Sequence, residues 1–476
     1  MVNENVLSRR YATDGINDIF SEKNRIVAER NLWIAVMRAQ KELGLNIPSE
    51  DLEKFERAKN DVDLEYIERV ERETGHDVNA KIDAFIKVAG AEQHIHKGMT
   101  SRDLTDNSEQ LQTKNASRII LGKYVSILRH FSDKAREYRG IELTARTHHQ
   151  AAQPTLLGRR MAMWAEELHI QFRVFEQFFK DYPLRGIKGP VGTQFDMLTL
   201  LGSPEKVAVL EKRVADLLGF DKILDSPGQV YPRSLDYQLL SNLALLSAGC
   251  ENFAKTMRLM AGYELMTEGF KEGQVGSSAM PHKMNTRSSE RICSFSELLK
   301  MYADGASRLS GDQWEEGDVS CSATRRVIIP DAFYVSDGLC ETMLTVLNKM
   351  GAYPAVIAKE IDRYLPFLAT TEILMESVKA GVGRQDGHKA IKKHAVAEAL
   401  RMRKEGSERN NLAELLANDP LFSKAGITRE RLSQILSDKE HFIGNARRQI
   451  DAVCGKVDEV AAQYPEAAKY EPKSIL

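Results

Sequence analysis

Arg291-Ile-Cys-Ser-Phe-Ser-Glu-Leu-Leu-Lys-Met-Tyr-Ala-Asp-Gly-Ala-Ser-Arg-Leu309 sets Ile292, Phe295, Leu299, Tyr302, Ala306 and Leu309 at steps of three and four. That period puts all six on one stripe of an α-helix, the seam along which a helix packs lengthwise on others. Proline, which interrupts helices, is absent between Pro281 and Pro330, between Pro232 and Pro281, and between Pro48 and Pro154. These gaps are filled with Leu, Ala, Glu, Lys, Arg and Met, the strong helix formers. The spacing predicts an all-α protein built on a central bundle of long helices. A shorter helix is punctuated by Ser203 as cap, Pro204 in the first turn, a Val207, Leu210, Val214, Leu217 stripe and Gly219 as stop. The stretches around Gly186 to Thr193 and Asp225 to Arg233 read as loops or short extended pieces, and long alternating strand patterns are scarce.

A chain of 476 residues exceeds what one core usually supports. We divide it into an N-terminal helical domain over 1–103, the central bundle over 104–353 and a C-terminal helical domain over 354–476. Lys and Arg number 66 against 68 Asp and Glu, so no overall basic field points to a nucleic-acid polymer, and an anionic ligand needs a local pocket. The five cysteines, Cys250, Cys293, Cys321, Cys340 and Cys454, show no Cys-x-x-Cys pair, which fits a reducing cytoplasm. The first ten residues do not read as a signal peptide, and no run of about 18 apolar residues suggests a membrane span.

Chemistry concentrates in Gln274-Val-Gly-Ser-Ser-Ala-Met-Pro-His-Lys-Met-Asn285, a small-residue loop between two proline-free segments. Gly276, Ser277, Ser278 and Ala279 allow close approach to a ligand, and hydroxyls with free backbone N–H groups suit a carboxylate. Lys283 adds positive charge and Asn285 an amide. Taken alone, a Gly-Ser-Ser tripeptide is common turn material. The longer run Gly276 to Asn285 resembles the signature of the fumarase/aspartase superfamily, with Thr286 where a proline usually follows. That resemblance implies a lyase in which Ser277 is the base, Lys283 stabilises charge on a carboxylate and Asn285, with Ser278, binds substrate. Removing a proton beside a carboxylate builds a second negative charge there, so such cations and N–H dipoles are what the reaction needs.

Thr147-His148-His149-Gln150 resembles the superfamily segment that supplies a general acid, which points to His148; imidazole can hold and release a proton near pH 7. Glu290 matches the glutamate that pairs with this acid, while His149 is read as structural. Gly75-His76-Asp77 is similar to the His-Asp segment of the adenylosuccinate lyase family, implying His76 near the leaving group and Asp77 near the substrate; many members carry a basic residue at the position of Gly75. Thr100 and Asp103 have capping-box spacing, and a helix starting there could hold a substrate carboxylate with Thr100 and Ser101 as donors.

Further matches favour that same family. Arg10-Tyr11, Gln229 with Arg233, and Glu290-Arg291 resemble nucleotide and succinyl contacts, and Ser322 with Arg326 resembles a phosphate-binding stretch. Gly317 and Asp318 stand where some members have Arg-Thr. Leu365 to Thr370 and Arg384 to His388 extend the likeness into the C-terminal third. The resemblance implies elimination of fumarate from a succinyl-amine nucleotide, no cofactor, and a homotetramer with sites shared between subunits. Other superfamily lyases, such as argininosuccinate lyase, and a non-catalytic helical scaffold are the competing expectations. His94 and His96 lie two apart, but no acidic or cysteine partner is spaced to complete a metal site.

Overall fold

The computed structural model describes residues 5–269, 280 and 282–473. Five long helices, Ser101–Glu137, Leu157–Asp181, Ser234–Gly262, Arg287–Leu309 and Ser322–Lys349, pack side by side as the predicted bundle. Ile292, Phe295, Leu299 and Ala306 are buried in its core, with Tyr302 and Leu309 packed against it, so the seam is the one the sequence spells. Phe131, Trp164 and Phe253 come from three of these helices. The Phe253 ring meets each of the other two edge to face with centroids 5.2 Å apart. Each such pair adds about 0.5–1.5 kcal/mol beyond burial. Phe253→Ala would cost roughly 3–5 kcal/mol by opening a cavity between three helices.

A second apolar cluster joins Leu32, Trp33, Phe55 and Phe85 of the N-terminal helices to Leu184, Leu210 and Phe220. The Pro204–Leu218 helix in this cluster begins on a Ser203 cap and stops at Gly219, as its punctuation predicts. A third cluster gathers Ile373, Ile391, Leu412, Leu416, Phe422 and Leu432. After it the chain returns, and the Ala446–Gln463 helix lays Ile450, Val453, Val457 and Val460 onto the central bundle.

Two features depart from the coarse reading. Pro330 lies inside the Ser322–Lys349 helix instead of ending it. Burial of Ile328, Ile329, Ala332, Phe333 and Val335 around it outweighs the proline penalty of about 3 kcal/mol. Between the first two bundle helices the chain also forms a β-hairpin, Glu142–Thr147 against Gln150–Leu156.

The middle of the Ser322–Lys349 helix is a fastening point. Buried Asp337 and Glu341 both pair with Lys123. Asp337 also accepts from the Thr13 backbone N–H at 2.6 Å, and Glu341 accepts from the Tyr470 hydroxyl and from the Lys473 N–H. A Cβ at Gly338 would come within 2.8 Å of the Tyr11 Cβ, so glycine is what lets the N-terminal segment lie down here. Among the described residues no helix is long and apolar enough to cross a membrane.

Candidate active site

One end of the bundle is formed by the Ser234–Gly262 and Ser322–Lys349 helices as they finish, tied by pairing of Met266 with Ala352, and by the first turn of Arg287–Leu309. A cavity of about 500 Å³ opens there, walled by Lys283, Asn285, Glu264, Glu268, Thr286 and Tyr353. Glu268 caps the Arg287–Leu309 helix, accepting from the N–H groups of Ser288 and Ser289 at 2.9 Å each. That satisfies donors which helix starts leave open. Glu290 sits on the same first turn, exposed to solvent. Ser277 and Ser278, the base and its neighbour in the sequence reading, lie outside the described residues.

The hairpin tip belongs to this end. Thr147 pairs with Gln150, leaving His148 and His149 as a two-residue loop with φ of 50° and 59°. Left-handed conformations at both loop positions are what a type I′ turn requires, and they usually call for Asn-Gly. Outside glycine such residues are uncommon and cluster at functional sites. The turn leaves His148 exposed, while the His149 ring packs on Tyr263, 5.7 Å between centroids, at the edge of the cavity wall. No hydrogen bond or ion pair joins His148 to Glu290 among the described residues, so the pairing expected from sequence is not made inside one chain.

The opposite end holds a different set. His76 caps the Asp77–Ala89 helix through Nδ1, which accepts from the Asn79 N–H at 3.3 Å, and Asp77 lies 3.6 Å from Lys81. Gly75 ends the preceding helix at φ 66°, a left-handed cap that a basic side chain would strain. Thr100 and Ser101 open the Ser101–Glu137 helix, where the Asp103 carboxylate accepts from the Thr100 N–H at 2.8 Å. Between these blocks sits His96, whose Nδ1 accepts from Trp33 Nε1 at 3.0 Å, leaving Nε2 to carry the proton of the neutral ring. Burial pushes its pKa down; Asp103 opposes this and His76 adds to it. In sequence, His96 stands out only as half of a His-x-His pair that lacks further metal ligands. Its place two residues before Gly98-Met-Thr-Ser101 was the available signal. His94 is engaged elsewhere, with Asp51 and Lys97 at 3.1 Å each.

Gln229, Ser322 and Arg326 share this end. Gln229 donates its N–H to the Glu316 carbonyl at 2.7 Å, and Ser322 opens the Ser322–Lys349 helix. Arg326 is exposed on the rim of a cavity of about 320 Å³ with Arg25, Glu109 and Arg325. Arg325 is locked: it bonds Asp236 and Glu109 at 2.7 Å each and the Tyr231 hydroxyl. Arg233 is buried against Asp106. Arg10, Tyr11 and Arg291 meet elsewhere, part-way along the bundle, with the Arg291 guanidinium 5.4 Å from the Tyr11 ring. Burial lowers the Arg291 pKa, Tyr11 counteracts it, and the nearby Arg287 and Arg10 add to the lowering. Tyr11 lies by Gly338, twelve residues along the same helix from Arg326, about 18 Å at 1.5 Å per residue.

The Lyase family profile matches residues 10–297, and the Adenylosuccinate lyase C-terminus profile matches 366–453. The adenylosuccinate lyase of Saccharomyces cerevisiae is 35% identical over 94% of this chain and 92% of its own length, and that of Schizosaccharomyces pombe is 34% identical over 94% and 93%. The chain belongs to the adenylosuccinate lyase family. It is accordingly a carbon–nitrogen lyase. Likeness to more distant solved structures bears on the fold alone. A 3-carboxy-cis,cis-muconate lactonizing enzyme of Pseudomonas putida superposes with a TM-score of 0.82 at 19% identity over 96% of this chain and 99% of that one. A fumarate lyase of Mesorhizobium gives 0.77 at 18% identity over 96% and 99%.

For a member of the adenylosuccinate lyase family, the division between the two ends is the informative geometry. The Ser101–Glu137 helix separates Thr100 from the hairpin by 37 residues, about 55 Å. A six-residue hairpin arm spans only about 20 Å and cannot bring His148 back to His76.

Proposed function

We propose that the chain catalyses reversible β-elimination of fumarate from adenylosuccinate, giving AMP, and from the succinyl-aminoimidazole-carboxamide ribotide of purine synthesis. The observation that carries this reading is Lys283 and Asn285 on the wall of a 500 Å³ cavity at the bundle end that also presents the His148 turn. In this reading Ser277 takes the proton from the carbon beside a succinyl carboxylate. Lys283 and the loop amides stabilise the charge that gathers on that carboxylate. The carbon–nitrogen bond then breaks as the double bond of fumarate forms, and the leaving nitrogen receives a proton from His148. Thr100 and Ser101 at a helix start suit a carboxylate, and Arg10, Ser322 and Arg326 suit the 5′-phosphate. Asp77, Gln229, Ser278, Tyr11 and Arg291 complete the nucleotide and succinyl contacts, and His76 stands near the leaving group. Fumarate release followed by ultraviolet absorbance tests this directly. No release from adenylosuccinate, with cleavage of argininosuccinate instead, would transfer the chain to the rival substrate.

Assembly as a homotetramer is part of the same proposal, because groups 55 Å apart in one chain can share a site only if other copies supply them. Met163, Ile170 and Val174 on one bundle helix, and Leu245 and Leu259 on another, are large apolar side chains exposed to solvent at helical spacing, suited to burial against further copies. In the tetramer, Glu290 of one subunit would orient the His148 imidazole of another. Mixing inactive His76→Ala and His148→Ala proteins should then restore part of the activity through hybrid sites; full activity in a species that sediments as a monomer would remove the idea. The five unpaired cysteines suit a cytoplasmic location.

A further inference from the structure

His148 occupies a left-handed backbone conformation, uncommon outside glycine, which contacts around the turn can hold in place. Arg146, two residues earlier on the strand that enters the turn, is placed to do so. Its guanidinium forms an ion pair with Glu360 on the Pro354–Leu368 helix, at 15% and 12% side-chain exposure. It lies 4.8 Å from the Tyr263 ring centroid and 5.6 Å from that of Tyr364. Its Nη1 donates to the His149 carbonyl at 3.4 Å, within the turn itself. The Tyr263 hydroxyl reaches His149 Nε2, also at 3.4 Å. The strand register shifts between Ala145 and Arg146, and an irregularity of that kind turns a side chain away from its default face.

A half-buried ion pair is a weak source of stability; its attested use is to specify one arrangement among several. Here the arrangement is a two-residue turn whose sequence, His-His, lacks the Asn-Gly or Asp-Gly pair that sets such turns most strongly. The planar fork of arginine can face a carboxylate, stack between aromatic rings and reach a carbonyl at once, which a lysine ammonium cannot.

We infer that Arg146, held by Glu360 between Tyr263 and Tyr364, is a positioning residue that clamps the His148 turn in its left-handed form. The inference rests on the proposed role of His148 as acid, and it adds the C-terminal helices to the parts that set the geometry of the reaction.

Arg146→Ala, Glu360→Ala, the double variant and the milder Arg146→Lys test it. Rates are expressed per folded tetramer, with thermal midpoints and sedimentation recorded for each. Arg146→Ala should lower kcat about 10–100-fold while KM stays within about twofold, since misplacing a catalytic group by an ångström can cost that much. Glu360→Ala should fall nearly as far, and the double variant no further, because both remove one device. Arg146→Lys should show the same pattern in smaller measure, and it decides the matter if the alanine variants do not fold. Hydrogen exchange read by mass spectrometry over 142–156 should accelerate at least about tenfold in the variants, with other segments unchanged. Additive effects of the two single changes, or kcat within twofold together with unaltered exchange, overturn the clamp. If the parent protein releases no fumarate, the catalytic reading of His148 falls, and exchange over 142–156 still decides whether Arg146 holds the turn.

Discussion

Arg325 and Arg326 are neighbours on one helical turn and lead opposite lives. Arg325 is buried with Asp236, Glu109 and Tyr231, part of a network that also joins Arg233 to Asp106 and Arg185 to Asp103. Arg326 stands exposed at one cavity rim and Lys283 at another, and Glu290, His76 and His148 are likewise open to solvent. The contrast separates two uses of charge. A buried ion is costly to desolvate and persists only when its own chain satisfies it. A charge left in solvent is free to meet a ligand or another subunit.

The largest expected effect breaks the first region. Arg325→Ala strands Asp236 in the interior and leaves Glu109 unpaired at the cavity wall, and should cost roughly 3–5 kcal/mol, seen as a lowered denaturation midpoint, whereas Arg326→Ala should change it by no more than about 0.5 kcal/mol. Equal midpoints for the two variants would erase the distinction. Next, Ser277→Ala should lower turnover on the order of 10²-fold, about 2.7 kcal/mol of barrier, with the midpoint unchanged. Near-normal turnover would falsify the base assignment. Arg326→Ala should weaken substrate binding by roughly 1.5–3 kcal/mol, the loss for a charge-assisted hydrogen bond. KM for adenylosuccinate and inhibition by AMP would both report it, and no change in either takes Arg326 out of the site.

The smallest effect concerns pH. Burial opposes charge on Glu251, but hydrogen bonds from Lys255, Lys300 and Ser296 bring its pKa down to about 2 from 4.5. Between those values the unfolded chain binds more protons than the folded one, so the stability Glu251 contributes is full above pH 4.5 and lost as pH falls toward 2. Glu251→Gln should flatten that part of the acid-unfolding curve; an identical curve means another carboxylate sets it.

How much of this could be read beforehand depends on range. The Ile292 to Leu309 seam and the Ser203 to Gly219 helix were legible because periodicity and caps are local signals. The hairpin was not, since His148-His149 lacks the Asn-Gly signature and Thr147 and Gln150 sit in no clear alternation. Nor was Pro330 inside a helix, where packing overrides propensity. Among site residues, the sequence marked Arg326 but could not tell it from buried Arg325, and it passed over His96 and Arg146, whose significance lies in distant partners: Trp33 for one, Glu360 for the other.

The fastening point at Asp337 and Glu341 sets a timetable for synthesis. Thr13 is bound by Asp337, 324 residues later, and Tyr470 by Glu341, 129 residues earlier. At about 5–20 residues per second, the segment carrying Arg10 and Tyr11 leaves the ribosome roughly 15–65 s before its anchor is made. Contacts of such range are slow to close, and until they do, the apolar face that Leu7 and Ile16 bury is covered only in part, by the Ser101–Glu137 helix. The nascent chain therefore passes through a long interval with its first helices made and only partly seated, the interval in which a chaperone has most to do.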